Sequence, residues 1–450
     1  MTTEKYDAIV VGGGISGILS ALVLTKERKN VLLLEKTNVI GGNCRTYNVD
    51  GFQVDTGPHA ITWLIKGPLV DLMDKYFDII PKFADHGNYY VRDKGKLLKF
   101  PYTLQALAQF NVFTKTDRLN MARALIDASK IQTKDNNGLD ISVYEYLKKY
   151  ELSKNAFMFI DTISYFLSGS SMKETPVWRI LSGGGTTNEL SSGLKKKISG
   201  VVGILANKHE SHQGYPIGGI KSIANAAIAS IPDKMVEIKL EKEVTVIEKK
   251  GKMFTVSTAD ENYTSEMVVY CAEVVNLPTI LKNKLPVAYT DKLLTLKKSV
   301  HALTLWLGLK QRIKELDYLG SEVWFAKETP YWAMPTSNYD SNLAPKDMQL
   351  IGFGSRILEG ETVEEHKKIL LRTIKKAIPG IEKEIVMEHV QVTIPDKASI
   401  TIGAKFPGPK TPIQGLYVAG TDVDPRSMGI TRAAYSVVEM LKHMKKEKIL

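Results

Sequence analysis

Residues 12–17, Gly-Gly-Gly-Ile-Ser-Gly, have the composition of a loop that binds a dinucleotide pyrophosphate. Gly12, Gly14 and Gly17 fit the spacing G-x-G-x-x-G. The first glycine permits a tight turn, the second lets phosphate approach the backbone, and the third lets a helix pack on a strand. The N–H groups at the start of that helix would bind the phosphates. Glu35 follows at the end of the next predicted strand, where its carboxylate can accept hydrogen bonds from ribose hydroxyls.

Two further elements favour FAD over NAD as the dinucleotide. Gly41 and Gly42 form a second glycine turn, and Arg45 after them can neutralise phosphate. Near the C-terminus, the turn at 420–422 ends in Asp422, whose carboxylate can bind a ribityl hydroxyl. Gly429 then begins the last predicted helix. The positive end of its dipole would stabilise the anion that develops at N1 and O2 of a flavin on reduction.

The elements that must position these residues are those of an α/β fold. A buried strand at 6–11, a helix at 15–26 and a second strand at 31–35 form a βαβ unit with parallel strands. Helical patterns then alternate with strand patterns, and an amphipathic helix is predicted at 363–377. We therefore predict two domains: a discontinuous Rossmann-like FAD-binding domain (1–65, 205–282 and 392–450) and an inserted α+β substrate domain (66–204 and 283–391).

The composition is that of a globular protein with a net charge of +11, which favours anionic partners. Two distant cysteines, Cys44 and Cys271, form neither a disulfide framework nor a metal-ligand cluster, and they suit a reducing cytoplasm. His209 and His212 have the spacing of metal ligands but no third ligand nearby, so we expect no metal site. No nucleic-acid-binding motif is present, and we expect no nucleic-acid partner.

Several segments resemble the FAD-dependent amine oxidase superfamily, which includes phytoene desaturases, protoporphyrinogen oxidases and flavin amine oxidases. They are residues 7–35, 41–46, 52–58 and 415–439. The sequence Tyr-Pro-Ile-Gly-Gly at 215–219 resembles the Y-P-x-G-G element of the phytoene desaturase branch, and residues 334–345 also resemble that branch. Asn43 stands where the carotenoid enzymes usually have arginine. In this feature the chain is more similar to protoporphyrinogen-oxidase-like and galactopyranose-mutase-like relatives.

The resemblance implies that Val244 presents its backbone to the adenine and that residues 57–59 lie near the isoalloxazine. It also places His59 and Arg426 beside the flavin, where either could orient substrate; a structural hydrogen-bonding role is the alternative. Together, motifs and resemblance give a set of candidate cofactor-binding residues: Gly12, Gly14, Ile15, Ser16, Gly17, Glu35, Lys36, Gly41, Gly42, Asn43, Arg45, Thr46, Gly57, Pro58, His59, Val244, Gly420, Asp422, Gly429 and Ile430.

The implied reaction is hydride removal from an apolar substrate, first of all a polyprenoid or carotenoid, with a quinone or oxygen as electron acceptor. Alternatives are a protoporphyrinogen oxidase-type or amine oxidase-type activity, a redox-neutral flavin isomerase, and a prenyl-protein carrier without FAD. Retention of Glu35, Arg45 and Asp422 argues against the carrier.

The segment from Phe100 to Thr114 has no charged residue, is rich in aromatic residues and is flanked by lysines and an arginine. This pattern suits contact with an anionic membrane surface. The expected location is therefore the cytoplasm, with peripheral contact to the inner membrane face. Burial of the segment within the substrate domain is the alternative.

Overall fold

The computed structural model describes residues 4–101, 103–132, 140–181, 213–232, 234–296, 302–324, 331–357, 360–394 and 396–450. The strands are β1 (Glu4–Val11), β2 (Val31–Leu34), β3 (Thr46–Val49), β4 (Phe52–Asp55), β5 (Phe83–Asp85), β6 (Asn88–Asp93), β7 (Lys96–Lys99), β8 (Gly214–Pro216), β9 (Val236–Lys239), β10 (Val246–Lys250), β11 (Met253–Ser257), β12 (Asn262–Tyr270), β13 (Ala302–Leu309), β14 (Gly320–Trp324), β15 (Tyr331–Met334), β16 (Gln349–Arg356), β17 (Ile385–Thr393) and β18 (Leu416–Val418). The helices are α1 (Ile15–Lys26), α2 (Pro68–Tyr76), α3 (Leu104–Gln109), α4 (Lys115–Gln132), α5 (Val143–Leu147), α6 (Lys154–Ser168), α7 (Val177–Leu181), α8 (Lys221–Ala229), α9 (Leu277–Ile280), α10 (Val287–Leu294), α11 (Val363–Ala377) and α12 (Gly429–Lys446).

The first sheet contains five parallel strands in the order β9-β2-β1-β12-β18. Numbered along the chain, they run 3-2-1-4-5, which is the order of a doubly wound dinucleotide-binding sheet. The ribbon β10–β11 pairs antiparallel with the first half of β12, and β18 pairs with its second half. The carboxyl ends of β1, β2, β12 and β18 therefore lie at one edge, and the predicted cofactor-binding turns follow directly from three of them.

Alternate residues of β1 enter two different cores, as expected for a strand covered on both faces. Ala8 and Val10 pack with α1, α2, α8 and α12. Ile9 and Val11 pack with the β10–β11 ribbon and the helices α9 and α10. The helix α1 is buried along nearly its whole length, which explains why its sequence is apolar on every side.

The second sheet has the order β17-β13-β16-β15-β14-β6-β7 and is antiparallel except where β14 runs parallel to β6. The strand β13, which lies between β17 and β16, is buried throughout. Leu303, Leu305 and Leu307 face the amphipathic helix α11, which begins with a capping box between Thr362 and Glu365. Trp306 points to the opposite face, where it packs with the hairpin β3–β4.

The predicted α/β class is confirmed, and each sheet is assembled from separated pieces of the chain as expected. All strands of the first sheet fall within the ranges predicted for the FAD-binding domain. Those of the second sheet fall within the ranges predicted for the substrate domain, except for the last two residues of β17. The hairpin β3–β4, predicted with the first group, packs on the second sheet. The exact limits of the two domains stay a prediction.

The apolar segment at 100–114 is built into a core of helices. Leu107, Phe110 and Phe113 are buried there, and both phenylalanine rings contact the ring of Phe159 on α6. These buried side chains agree with the alternative of burial, because they fill the space between α3, α4 and α6. Peripheral contact of the protein with a membrane stays a prediction. None of the described helices combines the length and apolar character that crossing a bilayer requires.

His209 and His212 lie outside the described residues. Within the described ranges, no three His, Cys, Asp or Glu side chains are grouped closely enough to hold a metal ion.

Candidate cofactor and active site

The turn after β1 has the geometry that its glycines predicted. Gly12 has φ of +103° and donates its N–H to the Leu34 carbonyl at 2.8 Å. A Cβ on Gly17 would lie 1.8 Å from the Gly12 oxygen, so this close packing of helix on turn requires glycine. A Cβ on Gly14, by contrast, would meet nothing within 4 Å, and no side chain caps α1 at this position. The space above Gly14 at the helix N-terminus is therefore open to a phosphate.

Glu35 is anchored beside this turn. Its Oε2 accepts the Gly13 N–H at 2.6 Å, and its Oε1 accepts from the backbone and the hydroxyl of Thr37 at 2.9 and 2.8 Å. The Lys242 N–H donates to the Glu35 carbonyl at 2.9 Å, which brings the segment before β10 alongside. Val244 in this segment is partly buried against the second core. These contacts place the residues proposed for ribose and adenine side by side.

The second glycine turn lies against the first. Gly41 donates its N–H to the Gly13 carbonyl at 2.8 Å, and a Cβ on Gly42 would come 3.0 Å from the Gly14 Cα. Arg45 is partly buried, and its Nε is buried without a hydrogen-bond partner. An uncompensated buried charge is costly, so this guanidinium suits an anionic group such as a cofactor phosphate. Among the other candidates near here, Lys36 is exposed, and the exposed Asn43 donates its amide to the Ile394 carbonyl.

Asp422 has a buried acceptor without a donor, whereas Arg45 has a buried donor without an acceptor. Its Oδ2 accepts the Val274 N–H at 2.7 Å, but its Oδ1 is buried without a partner. Burial raises the pKa of this carboxyl, and the Lys397 ammonium opposes the rise. A free carboxylate oxygen at the turn after β18 suits a ribityl hydroxyl. The residues present therefore fit FAD, since its phosphate and ribityl groups would satisfy the two buried atoms that the protein leaves without partners.

Lys397 belongs to this site and had no signal in the sequence, where it is one lysine in an unremarkable stretch. Its ammonium donates to the carbonyls of Cys271 and, at 3.1 Å, Ala272 at the end of β12. A Cβ on Gly420 would lie 3.2 Å from this ammonium and 2.6 Å from the Asp422 Oδ1. Lys397 therefore puts a positive charge between the end of β12 and the turn at 420–422.

The start of α12 lies beside the segment proposed to border the isoalloxazine. Gly429 donates its N–H to Asp396 at 2.9 Å, and Thr62 contacts the Thr431 hydroxyl at 3.0 Å. In the same segment, the His59 Nε2 would lie 2.9 Å from a Cβ on Gly57. Burial lowers the pKa of His59, against the opposing effect of the Asp396 carboxylate. Burial therefore favours the neutral form of this imidazole.

Arg426, the other candidate for orienting substrate, is already engaged. Its guanidinium pairs with Asp424 at 2.6 Å and with Glu439 at 3.1 Å, and it lies 4.3 Å from the ring centre of Tyr435. These contacts agree with the structural alternative for this residue. The roles of His59 and Arg426 stay predictions. So does the wider set of cofactor-binding residues, of which Ser16, Pro58 and Thr46 are buried and Ile15 and Ile430 pack partly buried against the first core.

The Tyr-Pro-Ile-Gly-Gly element at 215–219 packs against the hairpin β3–β4 next to the site. The Tyr215 phenol and the Thr46 hydroxyl both donate to the buried Asp55 carboxylate at 2.5 Å. A Cβ on Gly219 would lie 2.4 Å from the Thr46 oxygen and 2.7 Å from Asp55 Oδ1, and the φ of Gly219 is +81°. Glycine is required there for both reasons.

A wall of three aromatic rings extends from the start of α12. Arg179 donates to the carbonyls of Leu167, at the end of α6, and Ser427, just before α12, so these two helix ends are joined. Next to Leu167, the Phe166 ring lies 5.9 Å from those of Tyr89 and Trp332. Trp332 lies flat on Gly354, where a Cβ would come within 2.6 Å of the indole. We call Tyr89, Phe166 and Trp332 the aromatic wall; all three are only partly buried.

Comparison with known proteins decides which family this site belongs to. The family model described as flavin containing amine oxidoreductase matches residues 15–435, nearly the whole chain. The chain belongs to this family. The match begins directly after Gly14 and includes Arg45 and Asp422, and it confirms the superfamily that the sequence motifs indicated.

Similar proteins include a crystal structure of an oxidoreductase from Methanosarcina mazei, with a TM-score of 0.75 and 18% identity over 97% of this chain and 100% of that one. A prolycopene isomerase from Daucus carota is 21% identical over 97% of this chain and 79% of its own length. A 1-hydroxycarotenoid 3,4-desaturase from Flavobacterium sp. is 22% identical over 69% of this chain and 65% of its own length.

Membership of the flavin-containing amine oxidoreductase family establishes the cofactor and the class of enzyme, in agreement with the geometry of the site. The cofactor is FAD, and the protein is an FAD-dependent oxidoreductase of two-domain α/β architecture. The Arg45 Nε and the Asp422 Oδ1, which are buried without hydrogen-bond partners, are the atoms of this chain best suited to contact FAD.

Proposed function

We propose that this enzyme removes a hydride from a carbon atom of an apolar, conjugated substrate of the polyprenoid or carotenoid class. The observation on which this proposal depends is the aromatic wall, which begins at the end of α6 that Arg179 joins to the start of α12. Three ring faces and edges of this kind bind a flat apolar chain through stacking and burial. They also keep water away from the reacting carbon.

Residues of this chain would position the cofactor and the substrate next to each other. Arg45, Lys397 and the open N-terminus of α1 are suited to the phosphates, and Asp422 to a ribityl hydroxyl. FAD, when bound, supplies the acceptor for the hydride. We place the His59 imidazole, whose pKa burial lowers, and the positive end of the α12 dipole at the predicted flavin edge. Hydride loss leaves a carbocation, and release of a proton from the neighbouring carbon then forms the double bond. No strong base is needed among these residues, because the C–H bond next to such a cation is acidic enough for water to accept the proton.

The names of the similar proteins agree with this substrate class, since they include a carotenoid desaturase and a prolycopene isomerase. The isomerase is similar over almost the whole chain, so redox-neutral isomerisation on prereduced flavin is the second candidate. A quinone or oxygen is the proposed electron acceptor for the first. Protoporphyrinogen oxidase-type and amine oxidase-type reactions are the remaining alternatives.

Anaerobic mixing of the oxidised holoenzyme with a partly saturated carotenoid tests the proposal. We expect the flavin absorption to bleach and the product to gain a double bond. Isomerised product that forms only with prereduced enzyme, without consumption of an acceptor, would support the second candidate instead. Bleaching by amines but not by carotenoids would refute both.

A pair of variants then tests the aromatic wall. Trp332→Ala should raise the KM for the carotenoid while FAD content stays normal. Phe157→Ala removes a ring of similar burial from another part of α6 and should leave the KM unchanged. Equal KM values for the wild type and Trp332→Ala would show that the wall does not contact substrate.

A further inference from the structure

Two arginines stand apart in their hydrogen bonding. Among the described residues, Arg45 and Arg356 are at least partly buried, and no acceptor contacts either guanidinium; the Nε of each is buried without a partner. The other arginines with comparable burial are all satisfied by protein acceptors: Arg92 by Glu322, Arg118 by Asn111, Arg179 and Arg432 by backbone carbonyls, and Arg426 by Asp424 and Glu439.

A guanidinium Nε–H that is buried without an acceptor loses hydration that nothing in the protein replaces, so such groups are uncommon unless a ligand supplies the acceptor. At Arg45 the proposed FAD phosphate would supply it. Arg356 has the same deficit but lies in the other sheet, at the last position of β16. FAD bound at the glycine turns therefore gives no account of it.

The surroundings of Arg356 show what kind of ligand could reach it. Its guanidinium lies 4.5 Å from the ring centre of Tyr165, the residue next to Phe166 of the aromatic wall. It shares one face of β16 with Gly354, on which Trp332 rests. Arg356 therefore lies beside the aromatic wall, where the end of β16 faces α6 close to the end that Arg179 joins to α12.

The Asp161 carboxyl on α6 interacts with Arg356 at longer range than an ion pair. Burial raises the pKa of Asp161, and the charge of Arg356 opposes that rise. The Asp161 Oδ1 accepts the Met172 N–H at 2.7 Å, and within the described residues Arg356 forms no ion pair. The guanidinium thus keeps its donors available.

We propose that Arg356 binds an anionic head group, a carboxylate or a phosphate, at one end of an otherwise apolar substrate that lies along the aromatic wall. This inference rests on the proposed apolar, conjugated substrate and adds its end group. It also disfavours amines as substrates, because a guanidinium that forms no ion pair repels an ammonium group placed beside it.

Binding of matched polyenes tests the inference. The oxidised holoenzyme is titrated with all-trans-retinoate and all-trans-retinol, and in parallel with geranylgeranyl phosphate and geranylgeraniol, while the flavin spectrum and tryptophan fluorescence are recorded. We expect at least one anion to bind roughly tenfold more tightly than its alcohol, equivalent to ~1.4 kcal/mol. Its Kd should rise with added salt. The pair that shows the preference distinguishes carboxylate from phosphate.

The variants Arg356→Gln and Arg356→Lys then locate the charge. Gln should abolish the preference and leave the Kd of the alcohol unchanged, and Lys should retain part of it. The exposed Arg312, which contacts the Ser337 carbonyl at 3.3 Å, provides the control Arg312→Gln, which should bind as the wild type does.

Equal binding of each anion and its alcohol to the wild type would overturn the role of Arg356 and leave the proposed substrate class standing; that comparison needs no variant to fold. A preference that persists in folded Arg356→Gln would also overturn it. Failure of all four compounds to bind would instead refute the apolar substrate class, and the inference with it.

Discussion

Tyr215 donates a 2.5 Å hydrogen bond to Asp55, although 160 residues separate the two in the chain. Asp55 ends β4 and also accepts from the Thr46 hydroxyl and, at 3.1 Å, from the Ile220 N–H. The carboxyl is fully buried, and burial raises its pKa to about 6 despite these donors. One carboxyl thus fastens the hairpin β3–β4 to the start of α8.

The raised pKa of Asp55 predicts a defined pH dependence of stability. Because the folded state favours the protonated carboxyl, its contribution to stability is complete below about pH 4 and is lost as the pH rises through about 6. Asp55→Asn removes the titration but keeps an oxygen for Thr46 and Ile220. The free energy of unfolding of the wild type, relative to this variant, should fall on the order of 3 kcal/mol from pH 4 to pH 7. Urea denaturation curves for both proteins measure it, and parallel pH profiles would contradict it.

We expect substitutions of Gly14 and Gly17 to have different effects, on FAD binding in the first case and on folding in the second. A side chain on Gly14 meets open space, so Gly14→Val should fold but bind FAD roughly a hundredfold more weakly, ~2.8 kcal/mol, by filling the phosphate cradle. Gly17→Val should fail to fold, because its Cβ would overlap the Gly12 carbonyl. Apoprotein melting temperatures and FAD titrations separate the two cases. Normal FAD affinity in Gly14→Val would place the phosphates elsewhere.

Lys397 should contribute to FAD affinity through its charge. Lys397→Gln is expected to bind FAD roughly tenfold more weakly, with a smaller rise of Kd on addition of salt, because a cation beside the turn that holds Asp422 is lost from the proposed site of this anionic cofactor. Lys405, exposed eight residues later, provides the matched control Lys405→Gln. Fluorescence quenching of FAD measures both. A drop in apoprotein stability with an unchanged Kd and salt dependence would assign Lys397 a purely structural role.

Phe113 should behave as a core residue. Because the side chain is 3% exposed and packs on Phe110 and Phe159, Phe113→Ala should lower the free energy of unfolding by ~3–5 kcal/mol. Leu119 is 53% exposed on α4, so Leu119→Ala should change it by less than ~1 kcal/mol. A folded, fully stable Phe113→Ala protein that no longer floats with anionic liposomes would restore the membrane role of this segment.

The sequence by itself determined the features that depend on local pattern. It predicted α1 and α11 with the bounds that the structure shows. The helix α1 is an apolar run that follows a glycine turn, and α11 has strong helical periodicity and a capping box. It also predicted the glycine turns, since φ of +103° at Gly12 and the contact at Gly17 leave few alternatives to glycine. The cofactor and the superfamily follow from these local motifs.

Only the tertiary structure decided which side chains are satisfied. Arg45 and Arg356 differ from Arg92 in that Glu322, which is 230 residues away, supplies Arg92 with an acceptor. Likewise, the aromatic residues near 110 could face a membrane or a core, and the packing of α6 against them determined that they are buried. Hydrogen-bond partners and burial depend on contacts between residues far apart in the chain, and no local pattern specifies those contacts.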